Sequence, residues 1–255
     1  MTIAAQAYTL RSVMGDDVPA TLHRLREVGY ENVELAGLHG LTAARMRSCL
    51  AEAGIRAISA HEPWARVAAD GGEAMVADMH ELGIADVVVP SMPADRRDSG
   101  PDGYRRFGRA LAERAAALAD RSLRLHYHNH RFELETRHGE STGLDTLIEA
   151  SGPGVGLELD LAWVRGAGED PARWVARVPA DRIRLVHVKD VALGDGGAVD
   201  TEVGRGVIEW PPVIAACRDA GVWAYIVEQD TPGPDPFESL AVSLAAVRRL
   251  LDGQG

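Results

Sequence analysis

The chain has 255 residues, with 27 Lys and Arg against 38 Asp and Glu and a formal charge of −11. That balance excludes general affinity for nucleic acid and disfavours an anionic membrane surface, since both ask for a basic face. The length suits one large α/β barrel or two small domains, and no apolar run is long enough to span a bilayer. The chain starts almost at once on a strand-like run without a basic n-region, which predicts a cytoplasmic location. Cys49 and Cys217 fall in helix-like segments, at a spacing that is neither a disulfide framework nor a zinc motif. Both read as buried small hydrophobes.

In chain order, residues 3–8 read as a first strand. Asp17 caps a helix with Pro19 at its second position and Val18, Leu22, Leu25 and Val28 on one face. Gly29 ends it and the strand Asn32-Val33-Glu34-Leu35 follows. The same phrase of acidic residue, apolar residue, glycine and strand recurs at Gly54, Gly83 and Gly221. The first three of these glycines are spaced at about the length of one βα unit. A helix over 104–119 precedes a strand over 123–130 that carries three histidines at alternate positions. Alternation would put His126, His128 and His130 on one face, with Leu123, Leu125 and Tyr127 on the other. Thr142 caps a helix to Ala150, and residues 155–160 are a strand. Asp170-Pro171 opens a helix, 183–188 is a strand, 210–220 a helix and 223–228 a strand. Asp235-Pro236 opens the last helix, with Phe237, Leu240, Leu244, Val247 and Leu251 on its face. Eight strands each followed by a helix predict one α/β domain over 1–255, a closed (β/α)8 TIM barrel. An open doubly wound sheet is the alternative, without the usual dinucleotide glycine signature after strand 1.

Such barrels carry their chemistry at the C-terminal strand ends. Strand 1 offers Gln6 and Tyr8, strand 2 Glu34, strand 3 His61-Glu62, and strand 4 little. Strand 5 ends in His128-Asn129-His130, strand 6 in Glu158 and Asp160, strand 7 in His187 and Lys189, and strand 8 in Glu228 and Asp230. Imidazoles and carboxylates in corresponding places on strands 5 to 8 are what a divalent cation needs, and a cation removes the cost of burying them. His61 and Glu34 read as substrate ligands, with His61 also a proton carrier. Glu158 is a buried neighbour of the site or an acid/base. Lys189 either binds a substrate oxygen or pairs with an acid such as Glu158. His126 reads as structural, and Trp64, Trp163 and Trp210 as packing.

The phrases Gln6-Ala-Tyr-Thr-Leu-Arg11, Gly29-Tyr-Glu-Asn-Val-Glu-Leu35, Tyr127-His-Asn-His-Arg-Phe-Glu133, Leu159-Asp-Leu-Ala-Trp163, His187-Val-Lys-Asp190, Gly204-Arg-Gly-Val-Ile-Glu-Trp210 and Val227-Glu-Gln-Asp230 carry a resemblance. The whole chain resembles the sugar phosphate isomerase/epimerase superfamily of xylose-isomerase-like TIM barrels. That superfamily includes inosose dehydratases, ketose 3-epimerases and endonuclease IV. The resemblance implies one divalent metal on strands 5 to 8, held by Asp160, His187 and Glu228. His128 stands where the superfamily commonly has a glutamate, and His130 is the fallback if the register slips. Manganese is the metal implied, with cobalt, zinc, iron or magnesium as alternatives. Trp163 replaces a histidine that relatives with a metal cluster carry, which favours one ion and argues against an endonuclease.

The function implied is a metal-dependent isomerase or epimerase acting on a sugar, keto-sugar or related polyol through an enediolate. Glu228, His61, Glu158 and Lys189 are the catalytic candidates, and Gln6, Tyr8, Glu34, His61, His130 and Lys189 the substrate-binding ones. With His128 in place of a carboxylate, a lyase or dehydratase stays close behind. A barrel that binds a sugar or a partner without turnover is the reading from another class. The expected partner is a small carbohydrate, with no nucleic acid or membrane, and a homodimer is left open.

Overall fold

Eight parallel strands close on themselves in the computed structural model, which describes residues 1–97, 100–194 and 197–253. They are Thr2–Gln6, Asn32–Ala36, Arg56–His61, Asp86–Val89, Arg124–His128, Gly156–Asp160, Ile183–Val188 and Ala224–Val227. We number them strands 1 to 8; each pairs with the next, and strand 8 pairs with strand 1. The expected (β/α)8 barrel is the observed fold. Near-continuous apolar runs such as Val87-Val88-Val89 suit strands covered on both faces.

Capping sets the helix boundaries. Asp17 accepts from Ala20 N at the start of helix Val18–Val28, and Asp170 and Asp235 do the same for Pro171–Arg177 and Pro236–Leu251. Thr142 and Asp145 cap Gly143–Ser151 reciprocally. The recurrent glycines stop the helices: Gly29, Gly54 and Gly83 have φ of +111°, +67° and +70°, a region that L side chains rarely adopt. Cys49 and Cys217 are buried and free. No helix among the described residues is long and apolar enough to cross a membrane.

The barrel interior has three tiers. At the N-terminal end Asp86 accepts from Arg124 at 2.7 Å through each oxygen, from Arg184 at 3.2 Å and lies 2.8 Å from His126 Nε2. Above it Ala4, Ile58, Val88, Leu185, Ala224 and Ile226 form an apolar plug. Polar side chains at the C-terminal strand ends form the third tier. Outside the barrel, the opposite strand faces pack with the helices into the main core. Leu125 and Tyr127 belong there, as alternation requires.

Three local expectations are corrected. Strand 1 stops at Gln6, because Gln6 Oε1 accepts from Tyr8 N at 3.0 Å and turns the chain into a 3-10 turn, Ala7–Leu10. Strand 5 stops at His128, so His130 does not continue its face. Glu133 Oε2 accepts from His130 N at 2.8 Å, and helix Arg131–Glu135 begins there. The sequence reading also passed over two antiparallel hairpins: Asp190–Gly194 with Gly197–Thr201, and Arg137–His138 with Ser141–Thr142.

Candidate metal centre

The upper tier is built by alternation and closure together. His128 and Glu158 are neighbours in the register of strands 5 and 6, and Asp160 is level with His187 on strand 7. Gln6 is level with Glu34 across strands 1 and 2 and donates to it at 2.7 Å. Asn129 clamps strand 6: its Oδ1 accepts from Asp160 N at 2.9 Å. Asp160 in turn caps helix Leu161–Gly166 through Oδ1, which accepts from Trp163 N at 2.8 Å.

Two overlapping groups of ligand atoms converge, each within 4.8 Å: His128, Asp160, His187 and Glu228, and His61, His128, Glu158 and His187. In the first, Asp160 Oδ2 lies 3.9 Å from both His128 Nε2 and His187 Nδ1, and Glu228 Oε2 is 2.9 Å from His187 Nδ1. Ligand atoms about 2.0–2.2 Å from one ion stand about 3 to 4 Å from each other, so this group fits a cation. Asp160 Oδ2 is buried and accepts no hydrogen bond. The Lys189 ammonium lies 3.0 Å from this oxygen and offsets part of its charge, and an ion held by the four groups would complete its coordination. Two imidazoles with two carboxylates form a mixed nitrogen and oxygen set suited to Mn, Fe, Co or Zn.

In the second group Glu158 Oε2 is 2.7 Å from His61 Nε2, 3.0 Å from His128 Nδ1 and 3.1 Å from His187 Nε2. Glu34 Oε1 also meets His187 Nε2 at 2.8 Å and His61 Nε2 at 3.2 Å. The His61 and His187 rings stack with centroids 5.3 Å apart.

Protonation follows from this crowding. Burial acts to lower His61, but the Glu34 and Glu158 carboxylates override it and raise the group to about 10. His187 is likewise raised despite burial, by Glu158 and Glu228. His128 is lowered by burial and the neighbouring imidazoles, and His130 falls to about 4 through burial and the Lys189 charge. Burial raises Asp160 to about 6 against the pull of Lys189 and His187. Burial would also raise Glu228, but Lys189 and His187 hold it well below the usual carboxylate range. The field of the site therefore calls for positive charge.

Of the candidate residues, Gln6, Glu34, His61, His128, Glu158, Asp160, His187, Lys189 and Glu228 meet in this tier. His128, not His130, belongs to the ligand groups. Lys189 does form ion pairs, but not with Glu158. Its four-carbon stem carries Nζ to Glu228 at 2.7 Å, Asp230 at 2.5 Å and Asp160 at 3.0 Å. Tyr8, 43% exposed on its turn, lines the mouth rather than a strand. His126 lies below the plug with Asp86. Asp230 and Asn129 were not among the candidates. Asp230 had the signal of lying two residues after Glu228, whereas Asn129 had none.

A cavity of about 140 Å³ opens over the site, lined by Tyr8, His61, Pro90, His128, His130, Glu228 and Asp230. A larger hollow of about 360 Å³ lies elsewhere, among Arg165, Asp170, Val207 and Pro212, and contains none of these groups.

A sequence model of the xylose isomerase-like TIM barrel family matches residues 22–250. The chain belongs to that family. Among curated proteins no sequence matches it. Solved structures share the fold of this xylose isomerase-like barrel. A sugar phosphate isomerase/epimerase from Parabacteroides distasonis superposes with a TM-score of 0.81 at 20% identity, covering 97% of this chain and 98% of that one. An L-ribulose 3-epimerase gives 0.72 at 17% identity over 100% and 96%. The IOLI protein with a binding zinc atom gives 0.68 at 13% over 100% and 99%. At these identities the likeness is one of fold.

Proposed function

We propose that the chain is a divalent-metal-dependent enzyme that moves a proton beside the carbonyl of a small, uncharged sugar-like polyol, isomerising or epimerising it. The observation that carries this is the convergence of His128, Asp160, His187 and Glu228 at the floor of the cavity. A structural neighbour solved with zinc and others named as isomerases or epimerases support it. We propose Mn as the working metal.

The bound ion supplies Lewis acidity that polarises a carbonyl and its neighbouring hydroxyl and so acidifies the adjacent C–H. The rest falls to side chains. Lys189 and His187 keep Glu228 ionised, so its carboxylate is ready to accept a proton. His61 lines the same cavity; its Nε2 is committed to Glu34 and Glu158, which leaves Nδ1 to carry a proton. Glu34, fixed by Gln6, holds His61 and His187 in place. Tyr8 and His130 face the substrate across the mouth. The lining holds two carboxylates and no Lys or Arg, which selects against phosphorylated sugars. Its volume of about 140 Å³ lies below that of pockets for drug-sized ligands, which restricts it to a small one.

A lyase is the second reading, favoured by three imidazoles lining the cavity with Glu228. A protonated imidazole there would deliver a proton to a departing hydroxyl. A screen of sugars and 3-keto-sugars in deuterated water with added Mn tests both. Deuterium at the carbon beside the carbonyl supports the proposal, and the product separates isomerisation or epimerisation from elimination. Binding without exchange across the panel would leave a barrel that binds without turnover.

A further inference from the structure

We infer that Glu158 is a positioning residue that sets, through one oxygen, the tautomer of His128 and the orientation of His61, and shares the far nitrogen of His187 with Glu34. This rests on the metal centre proposed above and assigns Glu158 a place outside the ligand set. A neutral imidazole has one N–H and one lone pair, and the partner of one nitrogen decides which the other presents. Glu158 Oε2 meets His128 at Nδ1, 3.0 Å away, and His187 at Nε2, 3.1 Å away. The opposite nitrogens, His128 Nε2 and His187 Nδ1, are the ones that face Asp160 Oδ2, each at 3.9 Å. The two rings are thus turned in opposite senses about one carboxylate, with centroids 4.6 Å apart. Nδ1–H of His128 points at Glu158, Nε2–H of His187 is shared between Glu34 Oε1 at 2.8 Å and Glu158 Oε2 at 3.1 Å, and the opposite nitrogens would be free to hold an ion. His61 donates from Nε2 to the same oxygen at 2.7 Å. Glu158 is fully buried and its Oε1 accepts no hydrogen bond, so its hydrogen bonding is spent on His61 and His128, with His187 beside them.

The register explains why strand 6 provides this group. His128 and Glu158 are Cα partners on adjacent parallel strands, so an imidazole on strand 5 is matched by a carboxylate directly beside it. Carboxylates that hold a ligand histidine by its far nitrogen typically contribute 10–100-fold in metal affinity. Glu158 holds His128 in this way and shares His187 with Glu34.

The rival arrangement uses the same two histidines through their other nitrogens. If an ion sits among His61, His128, Glu158 and His187, Glu158 is itself a ligand and both histidines present the reverse nitrogens. The experiment compares the full-length wild type, Glu158→Gln and Asp160→Asn. Zinc affinity is measured by chelator competition, and imidazole tautomers of the zinc-loaded protein by nitrogen-15 NMR. The amide of Glu158→Gln keeps the shape and an accepting oxygen, so the fold survives, which a thermal melt checks. We expect one zinc per chain in the wild type, with His128 as the Nδ1–H and His187 as the Nε2–H tautomer. In Glu158→Gln we expect about 10–100-fold weaker zinc binding and loss of the single-tautomer signature at His128, while His187 keeps its Nε2–H on Glu34. Reversed tautomers, two zinc ions per chain, or unchanged affinity in Glu158→Gln would each overturn the inference. Failure of the metal centre itself looks different: the wild type takes up no zinc, or Asp160→Asn binds it as tightly as the wild type.

Discussion

At the scale of single residues the metal centre turns on Asp160 Oδ2, which is buried and faces both imidazoles as well as Lys189. Asp160→Asn and His187→Ala should each weaken divalent metal binding by more than about 100-fold, since even outer partners are worth 10–100-fold. Circular dichroism should show the barrel intact, and metal add-back should not restore turnover. Near-normal activity in either variant after chelation and add-back would place the ion elsewhere. Glu228→Gln should behave differently. The amide keeps an oxygen donor and its shape, but it cannot accept a proton. With saturating metal, deuterium wash-in at the substrate carbon should fall by about 10² to 10⁴, the usual worth of a positioned base. Full exchange in Glu228→Gln would reassign the base to His61. These residues were legible because strand alternation put them at the ends of strands 5 to 8. The contact of Glu158 with His61 was not, because it needs barrel closure to bring strand 3 across to strand 6. Lys189 was given the wrong partner for a similar reason. Its stem is long and flexible, and the acids that hold it lie on strands 6 and 8.

Elements announced themselves where local chemistry decides them. Asp17, Thr142, Asp170 and Asp235 cap helices as read, and Gly29, Gly54 and Gly83 stop them in left-handed conformations. Strand ends were harder. Strand 5 looked two residues longer because periodicity cannot see that Glu133, six residues beyond Tyr127, accepts from both Tyr127 Oη and His130 N. The hairpin Asp190–Gly194 with Gly197–Thr201 was missed although Asp195-Gly196-Gly197 is a turn signal in the sequence. Its organiser is Asp190, which is fully buried and accepts from Val191 N, Gly204 N, Ile208 N and Trp210 Nε1 at 2.8 to 3.0 Å. Asp190→Ala leaves four donors without their acceptor, at about 1–3 kcal/mol for each left unsatisfied. The expected outcome is local loosening: faster protease cleavage between residues 192 and 208, with barrel circular dichroism retained. A cleavage rate equal to wild type would show that the hairpin is held by other contacts.

At the scale of the molecule, the apolar plug separates two polar ends that answer pH differently. The upper end is the site, where protonation and metal binding are entangled. The lower end is simpler, because Asp86 faces Arg124, Arg184 and His126 and touches no ligand of the proposed ion. Burial alone would raise Asp86, but the hydrogen bonds from Arg124 and His126 hold it well below its ordinary 3.8. A carboxyl whose pKa is lower folded than unfolded stabilises the fold above the unfolded value, and the contribution is lost as pH falls through the folded one. The wild type should therefore lose this part of its stability progressively below about pH 4. Asp86→Asn removes the charge but keeps the size. It should cost about 1–2 kcal/mol near pH 7, less than a fully buried ion pair, because Arg124 and Arg184 lose their counter-charge but remain half and more than a third open to water. As pH falls the two proteins should converge, since the wild-type carboxyl becomes neutral as well. Urea denaturation at pH 7 and at successively lower pH reads the difference directly. A gap between the two midpoints that stays constant down to about pH 2 would mean that packing, not the Asp86 charge, closes the lower end of the barrel.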